Sequence, residues 1–358
     1  MKKIIALIII ISLGTIVAVS SCSYPHAMLK KETSSNGDKV LRIVYDSPKM
    51  FSYDTAFKDD KWAVLFTIKD YIQISFPPPG AIIGNRWFYY LGIIDKELNP
   101  LLKKPILFES YEDEGRGIAG QRTAVFPTSK GFLVVYLIKN NFFYMEYDIN
   151  GKKIIDKTKF YTNASTTGLR NKILSINYYK NSIFLFLLEK PENMYTDTWS
   201  INLIKQDIYA NKTNSLKNII PNKKGWYHAK DLNVLFSNNS IYISWVNGIK
   251  YDKKNNSYKL SALVNFTTIP IQNKQSDSYN TILKTQNYNN TNTRFIKTDK
   301  TILLIIKDDK EDIWIKKIEN KEDFKNSAVK ADENEKKYYL KYFTHNNKFP
   351  YKVTIGPK

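Results

Sequence analysis

The chain has 358 residues, with 54 Lys and Arg against 34 Asp and Glu, a formal net charge of +20 and 43% hydrophobic residues. It is long for one ordinary core but within the range of a single all-β ring, and one cysteine rules out an internal disulfide framework. The charge favours anionic neighbours, yet the lysines spread along the chain instead of gathering in one stripe, so nucleic acid is not an expected partner.

The N-terminus reads first. Lys2-Lys3 is a charged start, Ile4–Val19 an apolar run, and Val19-Ser20-Ser21-Cys22 ends it with small residues. That order describes an export signal, and the run is shorter than the ~20 residues of a spanning helix. Val19-Ser20-Ser21-Cys22 resembles the lipobox of bacterial lipoproteins. The resemblance implies cleavage between Ser21 and Cys22 and a diacylglyceryl thioether on Cys22 with an acylated amine, carrying palmitate-type chains. Membrane lipid is then a partner, and the cell envelope the location, extracytoplasmic at the outer membrane or cell surface. Two or three acyl chains hold stably where one is marginal. Residues 1–21 are expected to be the signal peptide, 22–39 a lipidated flexible tether with little to bury, and 40–358 the folded domain.

Val40–Tyr45 is the first strand expected. Met50–Phe57 and Trp62–Ile68 follow, divided by the charged turn Lys58–Lys61, and Tyr71–Phe76 runs into Pro77-Pro78-Pro79-Gly80, a polyproline-like edge or loop. Arg86–Ile94 and Pro105–Glu109 complete a unit. Phe132–Ile155 is the clearest unit: an apolar run rich in β-branched and aromatic residues, a Lys139-Asn140-Asn141 turn, Phe142–Tyr147, then Asp148–Gly151 with Gly151 free to turn left-handed. Weaker copies recur at Lys172–Tyr209, Asn233–Ile271 and Thr293–Ile318, with Tyr338–Phe343 and Tyr351–Ile355 as final strands. Ser276–Thr293, rich in Asn, Ser and Thr, reads as an irregular loop, and Asp323–Glu335 as the best helix or disorder candidate.

The most apolar strands recur at intervals of about 50–60 residues, which is similar to β-propeller blades with loops and unlike solenoid coils. The expected fold is all-β: a single propeller of about six four-stranded blades, with five or seven open. The first and last strands are expected to share one closing blade, which hides both sheet ends.

The motifs are weak. Gly115-Arg116-Gly117-Ile118-Ala119-Gly120 spells a dinucleotide pattern, but Glu112-Asp113-Glu114 before it would repel phosphate and no helix follows, so it reads as an inter-blade loop. His26, His228 and His345 lack companions for zinc, so no metal and no cofactor is expected. Asp59-Asp60, Glu112–Glu114 and Asp308–Asp312 read as solvated turns. The Tyr and Trp load is more suggestive, and Trp226, Tyr227 and His228, expected in a loop before a blade, are the candidate ligand rim. The expected function is a non-catalytic binding module for a protein, glycan or envelope component, not an enzyme. The alternatives are a propeller hydrolase or lyase acting on glycans, marked by carboxylates converging with Arg or Tyr in a central funnel, and a structural envelope-assembly scaffold.

Overall fold

The computed structural model describes residues 27–45, 50–73, 83–113, 119–120, 123–162, 172–189, 200–221, 226–237, 239–252, 257–271, 279–285, 290–299, 301–319, 327–344 and 351–356. Ser21, Cys22, Pro77–Gly80, His26 and His345 lie outside them.

The chain is a β-propeller built on six sheets. Five follow the sequence as blades. Blade 1 holds β3 (Met50–Lys58), β4 (Lys61–Gln73), β5 (Ile83–Asp95) and β6 (Ile106–Asp113). Blade 2 holds β8 (Thr123–Pro127), β9 (Phe132–Ile138), β10 (Asn141–Tyr147) and β11 (Lys153–Thr162). Blade 3 holds β12 (Lys172–Tyr179), β13 (Ser182–Glu189), β14 (Ser200–Asp207) and β15 (Lys212–Pro221). Blade 4 holds β16 (Trp226–Ser237), β17 (Ser240–Asp252), β18 (Ser257–Pro270) and β19 (Asn280–Thr285). Blade 5 holds β20 (Asn292–Lys297), β21 (Ile302–Lys307), β22 (Ile313–Ile318) and the short β23 (Val329–Lys330). The sixth sheet joins the two ends of the chain: β1 (Met28–Thr33) pairs antiparallel with β2 (Lys39–Val44), and β2 pairs parallel with β24 (Lys352–Gly356).

Period two decides how each blade is buried. In β9, Leu133, Val135 and Leu137 face the core shared with blade 3, while Phe132, Val134 and Tyr136 face the core shared with blade 1. In β13, Ile183, Leu185 and Leu187 face blade 2, and Phe184, Phe186 and Leu188 face blade 4. A sheet between two neighbours has no wet face, which is why these second strands are continuous apolar runs. The same reasoning holds for the adjacent aromatics of β5. Phe88 and Tyr90 pack towards the sixth sheet and Tyr89 towards blade 2, and all three are buried.

First strands of successive blades touch: β3 with β8, β8 with β12, β12 with β16 and β16 with β20. These are the inner strands. The first hairpins of blades 1 and 3 use left-handed residues where a two-residue turn needs them, Asp59 and Asp60 in blade 1 and Lys180 and Asn181 in blade 3. The Gly115–Gly120 segment reaches blade 3: its last two residues, β7 (Ala119–Gly120), pair parallel with Lys172 and Ile173 along the inner edge of β12.

Four elements differ from expectation. Met28–Thr33, in the stretch read as tether, is a strand, because Ser34–Asp38 closes a hairpin with Gly37 at φ +83°. Lys212–Pro221 adds β15, and Asn280–Thr285 in the supposed irregular loop is β19. Tyr338–Phe343 is not a strand but part of helix α1 (Glu333–Thr344). Asp332 caps it: its Oδ1 accepts the N–H of Asn334 at 2.8 Å and of Glu335 at 2.9 Å, while Glu335 Oε2 accepts the Asp332 N–H at 3.2 Å. This reciprocal box starts the helix, and Tyr339, Leu340 and Phe343 then pack on the face of blade 5 turned away from blade 4. Among the described residues no helix is long and apolar enough to cross a membrane.

Candidate functional site

The inner strands carry two acidic residues among those described, Asp54 on β3 and Asp231 on β16. Each accepts a backbone N–H from the inner strand of the next blade. Asp54 Oδ2 takes that of Val125 at 3.0 Å, and Asp231 Oδ2 takes that of Thr293. An inner strand is a sheet edge, so its outward N–H groups need such partners.

Asp231 does more than this. It sits where β16 slips register between Lys230 and Asn233, with φ +50°, a conformation uncommon outside glycine. The bulge turns its carboxylate to Arg294 on β20, whose Nη1 lies 3.3 Å from Asp231 Oδ1. The same nitrogen donates to Asn233 Oδ1 at 3.1 Å and to the Thr293 carbonyl at 2.9 Å. Thr293 is fully buried beneath this pair, and its hydroxyl bonds Asn233 Nδ2 at 2.9 Å, Ser244 Oγ at 3.0 Å and Asp231 Oδ2 at 3.1 Å. Behind Arg294, the ring of Phe343 from α1 lies 5.9 Å from the guanidinium carbon. The result is a carboxylate, 15% exposed, held rigidly against a guanidinium that is 43% exposed.

Two lysines extend this rim. Lys230 precedes Asp231 and is half-buried; Lys172 opens β12 and is exposed. Burial pulls the Lys230 ammonium below its ordinary pKa; nearby Asp231 opposes that, and the charge of Lys172 adds to it.

The sequence-derived candidates fall differently. Trp226, Tyr227 and His228 open β16, so they form strand and not loop; Trp226 pairs with Lys250 and His228 with Gly248. Their side chains lie outside the described residues, but their strand is the one that carries Lys230 and Asp231. Asp308–Asp312 is a turn, but Asp308 is buried in it and not solvated: it caps its own loop and accepts Trp314 Nε1 at 2.8 Å. Lys330 and Lys336 hold Asp312 below the usual carboxylate range through their hydrogen bonds. Glu112 lies in β6 and pairs with Arg86. No cluster of three His, Cys, Asp or Glu side chains suited to a metal occurs among the described residues. Asp231 and Arg294 escaped the sequence reading; their signal was a charged pair, Lys230-Asp231, inside a strand pattern, and a polar opening, Asn292-Thr293-Arg294, of the next blade.

No protein-family model matches the chain, and no curated protein matches it. Solved structures with a similar course are known. A B. megaterium levansucrase variant is 8% identical, with a TM-score of 0.44 over 84% of this chain and 88% of that one. A GH43 endo-arabinanase from Bacillus licheniformis is 12% identical, with a TM-score of 0.32 over 68% and 92%. An α-L-arabinofuranosidase from Lactobacillus brevis is 10% identical, with a TM-score of 0.35 over 78% and 85%. All three are enzymes by name. The neighbours, enzymes by name, stand against the expectation of a non-catalytic binding module without enzyme activity. The inner rim joins one carboxylate to a guanidinium; the mark set out above for the glycan-cleaving alternative is several carboxylates converging with Arg or Tyr, of which Asp231 is one.

Proposed function

We propose that the protein cleaves glycans at the inner rim of blades 4 and 5, with Asp231 as the acid–base group and Arg294 as the group that fixes it and meets the substrate. The observation that supports this reading is the Asp231–Arg294 pair, set on a strained bulge and braced from below by Thr293, Asn233 and Ser244. Strain of this kind costs energy and persists where the surroundings over-determine it, as active sites do. Glycoside hydrolysis uses two carboxylates across the scissile bond, and Asp231 supplies one. Elimination from an acidic sugar uses one base and a cation beside the sugar's acid group, and the same pair supplies both.

The test is a panel of neutral and acidic glycans incubated with the full chain, scored for new reducing ends and for unsaturated, ultraviolet-absorbing ends. Asp231→Asn is expected to lower the rate by roughly 10²–10⁴, the range of a lost acid–base group. Asp54→Asn, which alters the equivalent brace in blade 1, is expected to leave it near wild type. Absence of cleavage on every glycan, or wild-type rates in Asp231→Asn, overturns the reading.

We also propose that the chain is a bacterial lipoprotein, held at the envelope by acylated Cys22, so that the propeller meets its glycan outside the cytoplasm. Support comes from Lys2-Lys3, the apolar run and Val19-Ser20-Ser21-Cys22. Cys22→Ala should move the protein from the membrane to the soluble fraction; continued membrane association defeats the proposal.

A further inference from the structure

We propose that the end of the propeller carrying α1 lies against a bilayer, with Lys337, Tyr338, Lys341 and Tyr342 as the face that meets anionic headgroups. The proposal rests on the reading of Cys22 as lipidated, and deepens it by naming the surface that the anchor brings to the membrane.

Bonds between sheets fix which end of each is which. At the far end, Lys61 Nζ donates to Asn150 Oδ1 at 2.8 Å, joining turns of blades 1 and 2. Lys31 Nζ reaches Asn99 Oδ1 at 3.5 Å and the Tyr351 hydroxyl donates to the Lys96 carbonyl at 2.9 Å, so the Ser34–Asp38 turn and the start of β24 share that end. At the near end, the Tyr45 hydroxyl, just past β2, donates to Asp70 Oδ2 at 2.6 Å. Met28 pairs with Val44, so the chain enters the fold at the near end. Lys180 Nζ donates to Asn239 Oδ1 at 3.0 Å and the Tyr209 hydroxyl to Glu146 Oε1 at 3.3 Å, which puts the first hairpin turns of blades 3 and 4 at the far end and the start of β16 at the near one. The hydroxyls of Thr285 and Thr291, 2.8 Å apart, bring the start of β20 to the same level.

The leash from the anchor is short. Ala27 is buried with Leu29 and Leu41, which fixes where the chain leaves the fold. Cys22 stands five peptide units before it, a reach of at most about 18 Å. From Ala27 to Thr33 the chain runs about 20 Å the other way. A bilayer under the far turns would therefore stand beyond the reach of an acylated Cys22.

α1 lies at the near end. Lys336 Nζ donates to Asp312 Oδ1 at 3.2 Å in the turn after β21, and the Phe343 ring backs Arg294. With Tyr339, Leu340 and Phe343 packed inwards, Lys337, Tyr338 and Lys341 are exposed, Tyr338 at 52%. The Tyr342 ring lies 6.2 Å from that of Tyr338, and the Lys341 ammonium stands 3.8 Å from the Tyr338 ring centre and 5.4 Å from that of Tyr342. The acidic residues of the helix, Glu333 and Glu335, are confined to its first turn, and Glu335 serves the cap. Tyrosine has an apolar body and a polar tip, which suits the headgroup layer, and lysines are drawn to anionic lipid.

The full acylated chain, reconstituted on phosphatidylcholine–phosphatidylglycerol vesicles holding a headgroup-nitroxide lipid, tests the orientation. A fluorescent dye is attached at Asn334→Cys on α1 or at Asn150→Cys in a far turn, both exposed positions. The nitroxide should quench the α1 dye several-fold more than the far-turn dye. Adding Lys337→Glu and Tyr338→Ser should lower the quenching at α1 without changing the far-ultraviolet circular dichroism, and vesicles of phosphatidylcholine alone should do the same. Lys337 is exposed, so Lys337→Glu by itself decides the matter if the pair fails to fold. With Cys22 acylated by mass, equal quenching at the two positions, or quenching unmoved by the substitutions, overturns the orientation and leaves the lipoprotein reading standing. A Cys22 peptide of unmodified mass overturns both. An α1 dye that responds to a malto-oligosaccharide and not to the nitroxide makes the helix a glycan face, which also overturns the proposal.

Discussion

Asp54 and Asp231 hold matching places in the first and fourth blades: each lends a carboxylate oxygen to a backbone N–H on the inner strand of the following blade. Asp231 is in addition turned by a bulge and carries an arginine. Asp54→Ala should leave the Val125 N–H without its acceptor and cost about 1–3 kcal/mol. Asp54→Asn, which keeps an acceptor oxygen, should recover most of it. Urea unfolding of the two variants checks this, and equal loss in both would show that charge and not the hydrogen bond matters.

Gly131 closes the first hairpin of blade 2 where no side chain fits. A Cβ there would stand 2.1 Å from the Tyr147 carbonyl oxygen and 2.7 Å from Asp148 Cα, both backbone. Gly131→Ala should therefore destabilise by at least about 1–3 kcal/mol, the range of overpacking. Gly92→Ala meets chiefly the flexible end of Leu29, with Cδ1 at 2.2 Å, and should cost less. Thermal unfolding of the pair gives the order.

Alkali should loosen the blades before acid chemistry intrudes. Burial, first among the causes, pushes Tyr90, Tyr147 and Tyr178 each from 10.0 up to about 12, with nearby acidic groups adding to it. The folded state thus holds the phenol proton more tightly than the unfolded chain does. That stabilisation is complete below about pH 10 and is lost as pH rises towards 12. Tyrosinate absorbance and circular dichroism recorded together should change in this window; ionisation of these tyrosines near pH 10 with the fold intact would contradict it.

Removing the cap of α1 should reach the rim. Asp332→Ala frees the N–H groups of Asn334 and Glu335 and should cost about 1 kcal/mol. Because Phe343 on that helix backs Arg294, glycan cleavage should slow in the same variant. Unchanged cleavage in a destabilised variant would detach the helix from the site.

The blades were legible where burial is two-sided. Phe132–Ile138 and Ile183–Leu188 are apolar at every position because a core lies on each face. Outer strands were harder. β15 and β19 are polar at sheet margins, and Asn280–Thr285 buries only Ile282 and Thr285. The helix was misplaced because Tyr338-Tyr339 and Tyr342-Phe343 read as a strand by aromatic content, while the deciding signal was the Asp332–Glu335 box upstream. The site was illegible for a different reason. Asp231 and Arg294 lie in separate blades, and it is a one-residue slip in β16 that turns one towards the other. Neither periodicity nor motif records a slip.

The parallel pairing of Leu41 with Val353 and Ile43 with Ile355 sets an order of events. β2 waits for β24, which follows it only after all five blades. Until β24 is in place, Leu41 and Ile43 lack their seam, and the blades between stand in an unfastened arc. Closure is thus tied to the arrival of β24, and a variant without that strand loses the clasp on β2.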